Sequence, residues 1–273
     1  MNQLDPQAAP AWLQPLISNV SDVPQWYRKR VPAGVLAAIT AANAKATLTG
    51  TKRDAAVLVL FSGAPDAPAG PLPPDADLLL TVRSSSLRHH AGQAAFPGGA
   101  TDPGDDGPVG TALREAAEET GVDTGRLRPL AMLDRMFIPP SGFHVVPVLA
   151  YSADPGPVAP ADPAETAIVT RVPVRAFVNP ENRLMVYRGG GTSAPVAALA
   201  GESPPVAALA RAAAKFAGPA FLLNQMLVWG FTGQIISALL DAAGWAQPWD
   251  TSRKQELDAA MAMVGRASGY RVD

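Results

Sequence analysis

An α/β fold is predicted, an α/β/α sandwich on a mixed sheet, and three observations carry that expectation. Short apolar strand runs alternate with helical segments along most of the chain. A glycine turn, Phe96-Pro97-Gly98-Gly99, leads into one well-marked amphipathic helix. No internal period long enough for a repeat architecture interrupts this order.

Residues 1–30 contain proline and tryptophan and read as a peripheral arm with a short helix. Val35 to Ala46 is alanine-rich and helical. Ala55 to Phe61 is a strand run, Gly63 to Pro74 a proline-rich loop, and Asp77 to Arg83 a second strand ending at the glycine-rich region. The central helix begins after Asp105-Asp106-Gly107-Pro108, where acidic residues meet the positive end of the dipole and proline suits the first turn. Val109, Ala112, Leu113 and Ala116 follow at i, i+3, i+4 and i+7 and share one buried face. Gly121 suits a left-handed C-terminal stop.

Glu115, Glu118 and Glu119 occupy one sector of this helix. Glu115 and Glu119 repel at i, i+4 by roughly 0.2–0.5 kcal/mol. Glu118 and Glu119 also sit at the unfavourable end of the helix dipole. A bound hard cation such as Mg²⁺ or Mn²⁺ reverses the sign of both terms. The bland alternative is a solvated acidic face.

Leu127 to Ile138 and Phe143 to Tyr151 read as strands around Pro139-Pro140-Ser141-Gly142. Ala167 to Val172 is a further strand, a short turn of structure lies near Val174 to Val178, and Leu184 to Tyr187 extends the sheet. Residues 189–219 form a low-complexity insertion in which Pro-Val-Ala-Ala-Leu-Ala occurs twice. Pro219 to Leu240 is apolar and reads as a buried helix or helix pair, because Asn224, Gln225, Gly230 and Gln234 argue against a membrane span. A final helix is expected from about Ser252 to Val264. The domain expectation is an arm over 1–30, a catalytic domain over 31–250 and a C-terminal helical segment over 251–273.

The 273 residues carry a net charge of −2, which argues against general nucleic-acid or membrane-surface binding. There is no cysteine, so disulfides, thiol catalysis and cysteine-ligated zinc are excluded. The three histidines, His89, His90 and His144, make no convincing zinc site. The N-terminal stretch has no basic or apolar signal region, and a cytoplasmic placement is expected.

The stretch from Gly99 to Val122 resembles the Nudix box, the signature of hydrolases that cleave a diphosphate linked to another moiety. Arg114, Glu115, Glu118, Glu119, Gly121 and Val122 match its second half. Gly99 lies one residue further from Arg114 than the pattern asks, Asp105 or Asp106 stands where glutamate is usual, and Ala116 is smaller than the usual aliphatic residue. Upstream, Leu79-Leu80-Thr81-Val82-Arg83-Ser84, then Arg88, Gly92 and Phe96 to Gly99, match the motif of the coenzyme A diphosphatase subfamily at every specified position.

This resemblance implies a Nudix-type fold and hydrolysis of CoA or its thioesters to 3′,5′-ADP and a phosphopantetheine product, with Mg²⁺ or Mn²⁺ as cofactor. Glu115, Glu118, Glu119 and the Gly99 carbonyl are then the metal ligands. Glu115 is the first choice of general base, with Glu118 beside it. Arg114 orients a glutamate rather than clamping phosphate. Arg83, Arg88, His89 and Gly98 are the substrate-binding candidates, with His90 assisting. Glu165 is a distant base candidate, although an exposed loop residue is the favoured reading. Phe96, Tyr187 and Trp229 read chiefly as packing residues. ADP-ribose or another nucleotide diphosphate derivative is the first alternative substrate, and a non-catalytic nucleotide sensor the second. A homodimer is left open; neither nucleic acid nor membrane is expected as a partner.

Overall fold

In a computed structural model, residues 3–84, 92–138, 142–188 and 217–264 are described. Helices α1 (Gln14–Ser18), α2 (Val23–Lys29) and α3 (Ala33–Leu48) precede the strands β1 (Arg53–Ser62), β2 (Asp77–Arg83), β3 (Ala94–Ala95) and β4 (Gly98–Ala100). Helix α4 (Gly107–Thr120) follows, then β5 (Arg128–Met132), β6 (Met136–Ile138), β7 (Phe143–Ser152) and β8 (Thr166–Pro173). A short helix α5 (Val174–Val178) leads to β9 (Arg183–Tyr187), β10 (Gly218–Leu223), β11 (Met226–Val228), helix α6 (Gly230–Ala242), β12 (Lys254–Glu256) and α7 (Leu257–Met261).

The main sheet runs β3-β2-β1-β7-β5, with β4 on β1, β6 on β7 and β8 on β2. β1 and β7 pair in parallel over their whole lengths while the other pairs are antiparallel, so the sheet is mixed as expected. Its two faces follow from strand alternation. Ala56, Leu58 and Leu60 point to one side, where they meet Val109, Ala112 and Ala116 of α4. Val59 and Phe61 point to the other, into a cluster shared with Ile235, Ile236 and Leu239 of α6. Full burial of a leucine such as Leu58 or Leu60 contributes about 1.5–3 kcal/mol. Helices on both faces complete the α/β/α arrangement.

Several elements differ from the sequence expectation. The N-terminal segment is not peripheral: Trp12, Leu13 and Leu16 are fully buried in the main core. The Trp12 indole donates to the Ala64 carbonyl at 3.0 Å and packs against Phe61, Tyr151 and Trp245. Pro219 to Leu240 is a β-hairpin followed by one helix, not a helix or helix pair. Phe221 and Leu223 join the main core while Ala220 and Leu222 join a second cluster. A strand that is apolar on both faces has no visible alternation, which is why it read as helix.

The strand expected at 184–187 extends a second sheet, β11-β10-β9-β12, rather than the first. The final segment opens with strand β12 paired to β9, and only then becomes helical, over Leu257–Met261. Leu127 to Ile138 is two short strands rather than one. Of the expected insertion, 189–216 lie outside the described residues. Among the described residues no single helix is long and apolar enough to cross a membrane.

Candidate active site

The glycine turn and α4 meet at β1, an interior strand of the main sheet. Gly98 has φ +153°, and a Cβ there would lie 2.4 Å from the Ala56 carbonyl oxygen and 2.6 Å from Val57 Cα. Only glycine fits that approach. Gly99 pairs with Ala56 in the β4–β1 ladder, and a Cβ on it would lie 2.5 Å from Glu115 Oε2. The Glu115 carboxyl therefore occupies the space a side chain would fill. The Gly98 N–H donates to Glu119 Oε2 at 3.2 Å. Gly121, at φ +68°, ends α4 where expected.

Arg114 holds this arrangement together. Its Nε and Nη2 donate to the two oxygens of Asp105 at 2.8 and 3.0 Å, and Nη2 also donates to the Ala100 carbonyl at 3.0 Å. Nη1 donates to Glu115 Oε1 and Glu118 Oε2, both at 3.0 Å. A guanidinium has five N–H donors, and these five bonds use them all, leaving none for a phosphate. The hydrogen bond to a glutamate expected of Arg114 is present, to both Glu115 and Glu118.

Asp105, not Asp106, is the arginine's partner. It also accepts from the Thr111 hydroxyl at 2.9 Å and the Asp102 N–H at 2.8 Å. Arg114 holds the Asp105 carboxyl well below the usual range, and Asp105 in turn raises the guanidinium. Sequence reasoning missed Thr111, whose fully buried hydroxyl offered no motif position to flag it.

The glutamates divide. Burial pushes Glu119 up to about 7, opposed by the Gly98 N–H, with Glu115 and Glu165 pushing further and Arg83 opposing. Burial also raises Glu115, against the pull of Arg114. Glu118 is exposed, and its ion pair is with Arg114. The expected convergence of three carboxylates is thus two at the glycine turn and one turned to solvent. Among the described residues no three His, Asp or Glu side chains are gathered as a metal-holding group. The donor chemistry nonetheless fits a hard divalent ion. Two partly buried carboxylates, Glu115 and Glu119, stand at the Gly98-Gly99 backbone, and the charge of Glu115 raises the proton affinity of Glu119; such oxygen donors are what hard cations prefer.

Arg83 is brought close enough to act on Glu119, as is Glu165. Glu165 is exposed, as favoured, yet its carbonyl accepts the Ser84 N–H at 2.8 Å, which ties its loop to the end of β2. Arg88, His89 and His90 lie outside the described residues. His144, at the start of β7 across β1 from the turn, bonds Asn43. Phe96 is buried in the main core, and Trp229 packs on the second-sheet cluster.

A glycine turn locked against a strand, followed by a helix whose arginine bonds its carboxylates, is the arrangement the sequence resemblance predicted. A model of the NUDIX domain family matches residues 54–188, just under half of the chain. The uncharacterized Nudix hydrolase NudL of Photorhabdus laumondii is 42% identical over 101 residues, 37% of this chain and 53% of that protein. The Yersinia enterocolitica protein of the same name is 46% identical over 81 residues, 30% of this chain and 41% of its own length. The matched regions thus span about half or less of these relatives. Among solved structures, a Nudix hydrolase from M. smegmatis, RenU, is 26% identical with a TM-score of 0.37, covering 45% of this chain and 72% of that one.

Proposed function

We propose that the chain hydrolyses the diphosphate bond of CoA or an acyl-CoA, giving 3′,5′-ADP and 4′-phosphopantetheine or its acyl form. The observation that supports this reading is the unbroken upstream motif from Leu79 to Gly99, whose Arg83 comes to bear on Glu119 beside the glycine turn. ADP-ribose or another nucleotide diphosphate derivative is the competing substrate.

A diphosphate resists attack because its own charge repels nucleophiles. Glu115, Glu119 and the Gly99 carbonyl are the groups proposed to hold Mg²⁺ or Mn²⁺, with Glu118 recruited from Arg114. Such an ion supplies charge neutralisation on the phosphate oxygens and lowers the pKa of bound water. Arg114 fixes the Glu115 rotamer, so its carboxylate is placed before substrate arrives. Arg83 offers a forked cation for a phosphate oxygen. Glu115 accepts a proton from the attacking water, whose oxygen bonds to one phosphorus as the bridging oxygen leaves with the other phosphate. Burial raises the Glu115 carboxyl above its ordinary value, against the pull of Arg114, which favours its uptake of a proton.

Incubating purified protein with Mg²⁺ or Mn²⁺ and, separately, CoA, acetyl-CoA, ADP-ribose and dGTP, with mass spectrometry of the products, tests the proposal. Release of 3′,5′-ADP from CoA is expected. Turnover of ADP-ribose alone overturns the CoA assignment.

A further inference from the structure

CoA differs from most diphosphate-linked nucleotides in carrying a third phosphate, on the ribose 3′ position, and that group needs its own cation. Among the described residues, the arginines near the glycine turn already have work. Arg114 spends all five donors inside the protein, and Arg83 is assigned above to the diphosphate. The second sheet supplies another. Arg188 follows β9, is exposed, and has no carboxylate paired to it among the described residues. Its guanidinium carbon lies 5.2 Å from the centre of the Trp229 ring.

That platform is packed against the second sheet and lies on the flank of the turn. Trp229 packs against the cluster of Leu184, Val186 and Leu227. The next residue, Gly230, turns at φ +64°, and a Cβ there would lie 3.4 Å from Gln93 Nε2. The Gln93 carbonyl accepts the Arg83 N–H at 3.1 Å. Gln93 also opens the segment that runs through β3 into Phe96-Pro97-Gly98-Gly99. Arg188 and Trp229 thus stand across Gln93 from the arginine that acts on Glu119.

We infer that Arg188, backed by Trp229, takes the third phosphate of the substrate and so selects a 3′-phosphorylated adenine nucleotide; this rests on the CoA reading above. An arginine stacked on an aromatic ring is already oriented, so less side-chain entropy is lost when its fork meets a phosphate. The remote phosphate gives binding energy without touching the reacting atoms, which makes Arg188 a specificity determinant.

Calorimetric titration of the wild type and of Arg188→Gln with 3′,5′-ADP and with AMP tests this. The wild type is expected to prefer 3′,5′-ADP by roughly 10- to 100-fold, the worth of one charge-assisted phosphate contact. Arg188→Gln should reduce that preference to near unity while AMP affinity holds, and Arg188→Lys should restore part of it. Equal affinities in the wild type, or a preference that survives Arg188→Gln, overturns the inference. A parallel assay compares cleavage of CoA and dephospho-CoA. If CoA is cleaved without regard to its 3′-phosphate, the function stands and the role of Arg188 falls. An Arg188-dependent preference for 3′,5′-ADP without CoA cleavage sinks the function and leaves the site.

Discussion

Arg114 and Arg183 are the same side chain placed under opposite conditions. Arg114, on α4, is partly exposed and has an acceptor for every N–H. Arg183, at the start of β9, is 1% exposed, and only its Nη2 has a partner, the Ser237 hydroxyl at 2.7 Å. Its Nε and Nη1 have none among the described residues, and the guanidinium lies against the rings of Phe221 and Trp249. Burial lowers its pKa to about 10, with Arg30 adding repulsion, whereas Asp105 raises that of Arg114. The protein meets hydrogen-bonding demands fully where carboxylates must be aimed. It tolerates orphan donors where a cation merely ties a sheet to a helix.

The largest expected effect tests the first half of that contrast. Arg114→Met removes the group that fixes Glu115, Glu118 and Asp105, and kcat/KM should fall about 100-fold, as when supports of metal-ligating residues are lost. Arg114→Lys should recover little, because three donors on a flexible stem cannot replace a five-donor fork. A Met variant within threefold of wild type would mean that the carboxylates are placed by something else.

Next comes the turn. Gly98→Ala forces a Cβ onto the Ala56 carbonyl and Val57 at a φ that L-residues avoid. It should destabilise the fold by about 2–4 kcal/mol in urea titration. A midpoint unchanged from wild type would show that β1 and the turn can separate without cost.

Glu119 gives a pH signature. Its folded-state value near 7 lies above the unfolded 4.5, so the folded chain keeps that proton longer than the unfolded one. The site therefore adds nothing unfavourable below about pH 4.5, and stability is lost as pH rises through 7. The loss is on the order of 2–3 kcal/mol between pH 4.5 and 8 in chelator-treated protein. Glu119→Gln should remove this slope, and millimolar magnesium should flatten it in the wild type. A wild-type slope that persists in Glu119→Gln assigns it to another group.

What the sequence revealed follows from range. The central helix, its glycine stop and its apolar stripe were legible because their determinants lie within a few residues of one another. So was the contact between Arg114 and Glu115, although not the choice of Asp105 over Asp106, which depends on how the loop folds back onto Thr111. The outward turn of Glu118 was hidden, because spacing on a helix gives a sector but not which carboxylate an arginine captures. Trp12 and the β10–β11 hairpin were misread for a shared reason: their burial comes from distant partners, and sparse or two-sided apolar patterns do not announce those partners.

The smallest expected effect is the sharpest test of the second half of the contrast. Removing Arg183 alone would leave the buried Ser237 hydroxyl without its partner, so the informative change is Arg183→Met with Ser237→Ala. The pair loses one hydrogen bond and two cation–ring contacts, each worth about 0.5–2 kcal/mol. It also removes a desolvated charge and two orphan N–H groups, whose burial costs a similar amount. Replacing both partners by apolar groups of like shape is then close to neutral, and the urea midpoint should correspond to within about 1 kcal/mol of wild type. A loss beyond about 3 kcal/mol would show that Arg183 has its acceptors after all, and the contrast with Arg114 would disappear.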